Sequence, residues 1–177
     1  METLKVILHT TGDDKCLKNV LNYVIVKESI LKKVFGINPD NPNAALLQFK
    51  KAADFFDNQC YTPIFHYITS YTKKTAPTAE KAMELTKALF EPLTQFHLAV
   101  EVVHFKERDG SSYHSHTAVS PTNIHNVSML YGDNRTNYAL AQRLSNITGE
   151  PVKLIIKSEN GKEWECPRIF TPQINDK

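Results

Sequence analysis

Two stretches rich in β-forming residues, "FHLAVEVVHF" (96–105) and "YHSHTAVS" (113–120), flank a short polar segment containing Asp109-Gly110. Together they read as an antiparallel hairpin. This pair limits what the chain can fold into more than any other segment does. Side chains alternate across a strand, so a register slip of one residue turns every side chain to the opposite face. The hairpin also gathers three of the chain's seven histidines, His104, His114 and His116. His114 and His116 are two apart and share a face. Residues whose numbers sum to an even value can sit opposite one another, so His104 meets His114 or His116 only if the connection has an odd number of residues. A regular two-residue Asp-Gly turn would break that parity. Convergence of the three imidazoles therefore requires a longer loop or a bulge.

The rest of the chain alternates helix and strand signals. "TLKVILH" (3–9) reads as a strand, and Asp13 or Asp14 can cap a helix whose Leu17, Val20, Leu21 and Val24 form one stripe. Past the turn cluster "GINPDNP" (36–42), Leu46, Phe49, Ala53 and Phe56 recur at helical spacing. "TPIFHYITSY" (62–71) has strand content, and "TAEKAMELTKALFEP" (78–92) reads as a helix that stops before Pro92. A further helix near 136–147 carries Leu140, Leu144 and Ile147 on one side, and the strands "PVKLIIK" and "KEWECPRIF" follow. Hairpins mixed with helices point to an α+β fold, a central, mainly antiparallel sheet flanked by helices, rather than a doubly wound parallel sheet. With 177 residues and no linker, the expectation is a single domain over 1–177.

Composition excludes several classes. A formal charge of +2 permits an anionic partner without demanding one. Cys16, Cys60 and Cys166 are odd in number and far apart, so neither a disulfide framework nor a zinc knuckle is indicated, and reduced thiols are expected. No run of about 18 apolar residues occurs and the N-terminus does not resemble a signal peptide, so the expectation is a cytoplasmic protein without membrane insertion.

The H-x-H pair with a third imidazole is a donor set for a divalent cation. Three neutral imidazoles suit Mn²⁺, Zn²⁺ or Co²⁺ better than Mg²⁺, although availability and open coordination positions can override that preference. The plain alternative is a set of surface histidines on a polar hairpin. A cation there would polarise a phosphodiester, and the attacking group can come from the first helix. Tyr23 lies off the Leu17, Val20, Leu21, Val24 stripe and need not be buried. An unperturbed phenol, with a pKa of about 10, requires activation to act as a nucleophile.

In order, "LKNVLNYVIVKE", "FGINPDNPNAALLQFKKAADFF", "FHYITSY", and "VEVVHF" with "YHSHTAVSPTN" resemble the conjugative relaxases of the MOB-P mobilisation-nuclease type, within the HUH endonuclease superfamily. The resemblance spans roughly residues 16–125. It implies an HUH relaxase-like fold and metal-dependent, strand-specific nicking and religation of single-stranded origin-of-transfer DNA. Tyr23 would form a 5′-phosphotyrosyl link and His104, His114 and His116 would hold the cation, Mn²⁺ or Mg²⁺, with Zn²⁺ or Co²⁺ as alternatives. It places Ser70 and His66 near the DNA and Asn123 after the H-x-H strand as substrate-binding residues. It further implies a bacterial cytoplasmic setting, with relaxosome accessory proteins and a coupling protein as partners. Lys106 stands where relaxases usually have an acidic residue, with Asp109 the nearest acid on the turn. A rolling-circle replication initiator of the same superfamily is the nearest alternative, but most of these place the tyrosine after the histidines. A non-catalytic DNA-binding accessory protein is the alternative from another class. Paired lysines at 32–33, 50–51 and 73–74 and the rings of Tyr67, Tyr71 and Tyr113 are candidates for phosphate contact and base stacking.

Overall fold

A computed structural model describes residues 1–9, 14–26, 28–58, 62–106, 112–158 and 160–173. Among them eleven elements follow in order: β1 (Glu2–Leu8), α1 (Asp14–Val26), β2 (Leu31–Phe35), α2 (Pro42–Phe55), β3 (Phe65–Ser70), α3 (Ala79–Thr94), β4 (His97–Lys106), β5 (Ser112–Asn123), α4 (Asn134–Thr148), β6 (Val152–Ser158) and β7 (Glu163–Phe170). The strands form one seven-stranded sheet in the order β2-β4-β5-β3-β1-β6-β7. Only β1 and β6 pair in parallel; every other pairing is antiparallel. The fold is α+β with a mainly antiparallel sheet, as the hairpin signals indicate.

Strand alternation divides the apolar residues between two cores. Val100 and Val102 of β4 and Ala118 of β5 pack with Leu17, Val20, Leu21 and Val24 of α1 and Ala45 and Phe49 of α2. On the other face, Leu4, Val6, Phe65, Tyr67, Ala99, Val103 and Val119 pack with Leu85 and Leu89 of α3 and Leu140 and Leu144 of α4. Both cores bury one side of the same central strands, so helix docking fixes which side chains face which helix pair.

Local chemistry sets the helix ends. Asn41 caps α2 by accepting from the amides of Asn43 and Ala44, with Pro42 in the first turn, and Asp133 caps α4 through the Thr136 amide. Gly149 ends α4 at φ 70°, in the left-handed region that favours glycine. Helix α3 corrects the sequence expectation: it passes through Pro92 and ends at Thr94 instead of stopping before the proline. A proline at that position leaves the carbonyl four residues earlier without its helical donor. That carbonyl, of Ala88, instead accepts from Nε of Arg143 in α4 at 2.9 Å, so the neighbouring helix compensates the lost bond. Strand β2, absent from the sequence reading, is a five-residue edge strand. The opposite edge, β7, carries Pro167, which cannot donate to a further strand.

Glu101 is wholly buried on the α3 side of β4, opposite Thr117 of β5. Neither carboxyl oxygen has a hydrogen-bond partner among the described residues. Burial pushes its pKa from 4.5 up to about 8, against the opposing pull of Lys87 and Lys33. The folded state therefore holds a proton that the unfolded chain releases above about pH 4.5. Stability should fall as pH rises from there to about 8 and then level off. Glu101→Gln should remove this dependence and raise stability on the alkaline side by on the order of a few kcal/mol. Urea unfolding of both proteins across this pH range measures it; parallel profiles would contradict the assignment.

Candidate functional site

The β4–β5 register settles the parity question. His104 pairs directly with His114, and His116 lies opposite Val102, two positions further in. The last pair, Lys106 with Ser112, leaves the odd number of residues 107–111 between them, longer than a two-residue turn. Asp109 and Gly110 lie outside the described residues. The three imidazoles share the α1 side of the sheet. Their ring centroids are 5.5 Å (His104 and His114), 5.3 Å (His104 and His116) and 5.2 Å (His114 and His116) apart. His104 and His116 are buried, while His114 is half-buried.

Strand β3 lies on the other side of β5 and adds to the cluster. Its register sets Ile68 opposite His116, Ser70 opposite His114 and His66 opposite Ala118. His66 is buried, and its Nε2 lies 2.9 Å from Nδ1 of His116. Burial, and secondarily the neighbouring His9, lower the His66 pKa to about 3, so its ring is neutral at neutral pH. The His9 ring stacks on that of His66, with centroids 5.9 Å apart and planes 10° from parallel.

Helix α1 covers this cluster. The buried stripe of Leu17, Val20, Leu21 and Val24 seats the helix on the sheet, and Tyr23, off the stripe, is half-buried above the histidines. Its ring centroid is 5.0 Å from that of His116, 6.2 Å from His66 and 6.3 Å from His104. The phenol oxygen lies 3.5 Å from Nε2 of His116, at the outer limit of a hydrogen bond. A cavity of about 340 Å³ opens here, lined by His9, Asn19, Tyr23, His66, Ile68 and His116 among others. A larger groove of about 560 Å³ between β2 and α3 lies on the other face and contains no histidine.

Imidazole nitrogen suits a divalent transition ion in kind, and three such rings are neighbours. Even so, among the described residues no three His, Cys, Asp or Glu side chains are drawn together into a formed metal cage. A cation held by all three rings would require their nitrogens to turn toward a common point.

Several sequence candidates lie elsewhere. Asn123, at the far end of β5, accepts from the His125 amide and donates to Ser128, holding a turn seven residues along the strand from His116. That separation is roughly 23 Å. Tyr67 and Tyr71 are core residues, the latter hydrogen-bonded to Thr86, and are closed to base stacking. Tyr113 packs on Phe105. One lysine of each pair is already engaged: Lys32 with the carbonyls of Ile25 and Pro39, Lys50 with Asp14 and Lys74 with Glu150. Cys16 and Cys166 are buried and form no disulfide among the described residues, and Cys60 lies outside them. His9, which carried no sequence signal, reaches the site because β1 pairs with β3, a long-range pairing that puts Ile7 beside His66.

An α+β sheet that presents a tyrosine from its first helix to histidines on adjacent central strands defines a class of nuclease-like domain. The relaxase family described as MobA/VirD2-like, nuclease domain, matches residues 22–150, a span that contains Tyr23 and the three hairpin histidines. The chain belongs to this family, which connects it with DNA and with nicking in mobilisation. No match was found among curated proteins or solved structures. No helix among the described residues is long and apolar enough to cross a membrane.

The geometry separates what seats Tyr23 from what Tyr23 contributes. Leu21 is fully buried, so Leu21→Ala should lower stability by about 2–5 kcal/mol. Tyr23→Phe removes the phenol's 3.5 Å contact with His116 and should change stability by less than about 1 kcal/mol. Chemical denaturation of the two variants tests this, and a larger loss for Tyr23→Phe would mean the phenol holds the fold.

Proposed function

We propose that this chain cleaves and rejoins one strand of DNA at an origin of transfer, with Tyr23 as nucleophile. The proximity of the Tyr23 phenol to the imidazole cluster carries this reading: its oxygen lies 3.5 Å from Nε2 of His116. The family match, which spans Tyr23, His66, His104, His114 and His116, supports it. In the proposed step the phenolic oxygen attacks the scissile phosphorus, forming a tyrosyl O–P bond as the P–O3′ bond breaks. The phenol gives up its proton and the departing 3′ oxygen gains one, leaving a 5′-phosphotyrosyl strand and a free 3′-hydroxyl. One phosphodiester is exchanged for another, so reversal by the 3′-hydroxyl rejoins the strand without an external energy source.

His104, His114 and His116 would hold a divalent cation, Mn²⁺ or Mg²⁺ with Zn²⁺ or Co²⁺ as alternatives, which when bound supplies polarisation of the phosphodiester. The protein's own part is positional. Helix α1 holds the phenol over the histidines, and the sheet keeps those rings on one face. Ser70 lies opposite His114 in the register of β3 with β5 and would contact the strand entering the site.

A labelled single-stranded oligonucleotide spanning the origin next to the gene, incubated with the protein and Mn²⁺, should yield a protein–DNA adduct that survives SDS. The adduct should vanish with Tyr23→Phe and on chelation, and fall at least about 100-fold with His104→Ala or His114→Ala. Binding without an adduct under several cations would instead identify a DNA-binding accessory protein.

A further inference from the structure

The nitrogens facing each other across strands β3 and β5, Nε2 of His66 and Nδ1 of His116, are 2.9 Å apart. In a hydrogen bond between these nitrogens one ring donates and the other accepts, and which one donates decides the chemistry of the far side of His116. If His66 donates, His116 carries its own proton on Nε2, the nitrogen 3.5 Å from the Tyr23 oxygen, and that nitrogen can neither coordinate a cation nor accept from the phenol. If His66 accepts, the His116 proton sits on Nδ1 and Nε2 presents a lone pair to the site.

We propose that His66 is a positioning residue that accepts from Nδ1–H of His116 and thereby holds the Nε2 lone pair of His116 toward Tyr23. The assignment rests on the reading of His116 as a cation ligand, because only this tautomer can serve as one. His66 is well placed for the task. Its register neighbours, Ile7 on β1 and Ala118 on β5, are both apolar. Burial of His66 removes water as a substitute acceptor. Histidines that bind metals usually give their second N–H to a carboxylate, a carbonyl or water; here another imidazole takes that place. A neutral acceptor draws less negative charge onto the ligand than a carboxylate does, while still fixing tautomer and ring orientation.

The test begins with the cation-free wild-type protein. Nitrogen-15 correlation spectra of the histidine side chains should show His116 protonated on Nδ1 and bare on Nε2; protonation on Nε2 would overturn the proposal. His66→Phe should scramble that tautomer and weaken Co²⁺ or Mn²⁺ binding, measured by calorimetry, by about tenfold to a hundredfold. His66→Gln, whose amide oxygen can accept, should restore most of the affinity. Unchanged tautomer and affinity in His66→Phe would sink the idea. If that variant does not fold, the wild-type spectrum and His66→Gln still decide. A wild-type protein that binds no cation yet shows the Nδ1–H form would defeat the cation site while supporting the role of His66.

Discussion

The pairing of β4 with β5 is the constraint on which the rest depends. His104 opposite His114 is one register among several that the hairpin's hydrophobic content would tolerate, and a slip of one residue would reverse the faces. If β4 is the strand that turns over, Val100 and Val102 would meet α3 and α4, Ala99 and Val103 would meet α1, and the His104 imidazole would pass to the side away from His114 and His116. The apolar cores on both faces therefore select the register that assembles the polar cluster. Fold stability and site assembly are the same choice of pairing.

Burying this many polar rings requires that they partner one another, because a buried polar group without a partner costs about 1–3 kcal/mol. The bond between His66 and His116 meets that need within the sheet and links β3 and β5 through side chains as well as backbone. The opposite face handles polarity differently. Glu101 is held against the sheet with no partner for its carboxyl oxygens among the described residues and stays protonated well above the usual carboxylate range. One face thus keeps imidazoles within reach of each other, with His66 held neutral by burial, while the other keeps a carboxyl group neutral through isolation.

Local signals carried much of this into the sequence. The H-x-H alternation and the β4–β5 parity placed the three histidines together, and the α1 stripe left Tyr23 outside the core, as the structure has them. Non-local pairings remained invisible. The place of His66 beside His116 needed the pairing of β3 with β5, and that of His9 needed the β1–β3 pairing as well. Strand β2 escaped because five residues with two lysines form a weak pattern, stabilised by pairing with β4 and not by their own propensity. Pro92 misled because the compensating donor, Arg143, comes from a helix about fifty residues later.

The family match and the folded unit have different bounds. The matched span, 22–150, begins inside α1 and ends before β6, yet it contains Tyr23 and all three hairpin histidines. Strand β1, outside it, lies between β3 and β6, contributes Leu4 and Val6 to one core, and sets Ile7 beside His66. The matched segment alone would leave β3 as an open edge and the flank of His66 exposed to water, which would compete for the nitrogen now facing His116. In this chain, then, the surroundings of His66 depend on a strand that lies outside the matched span.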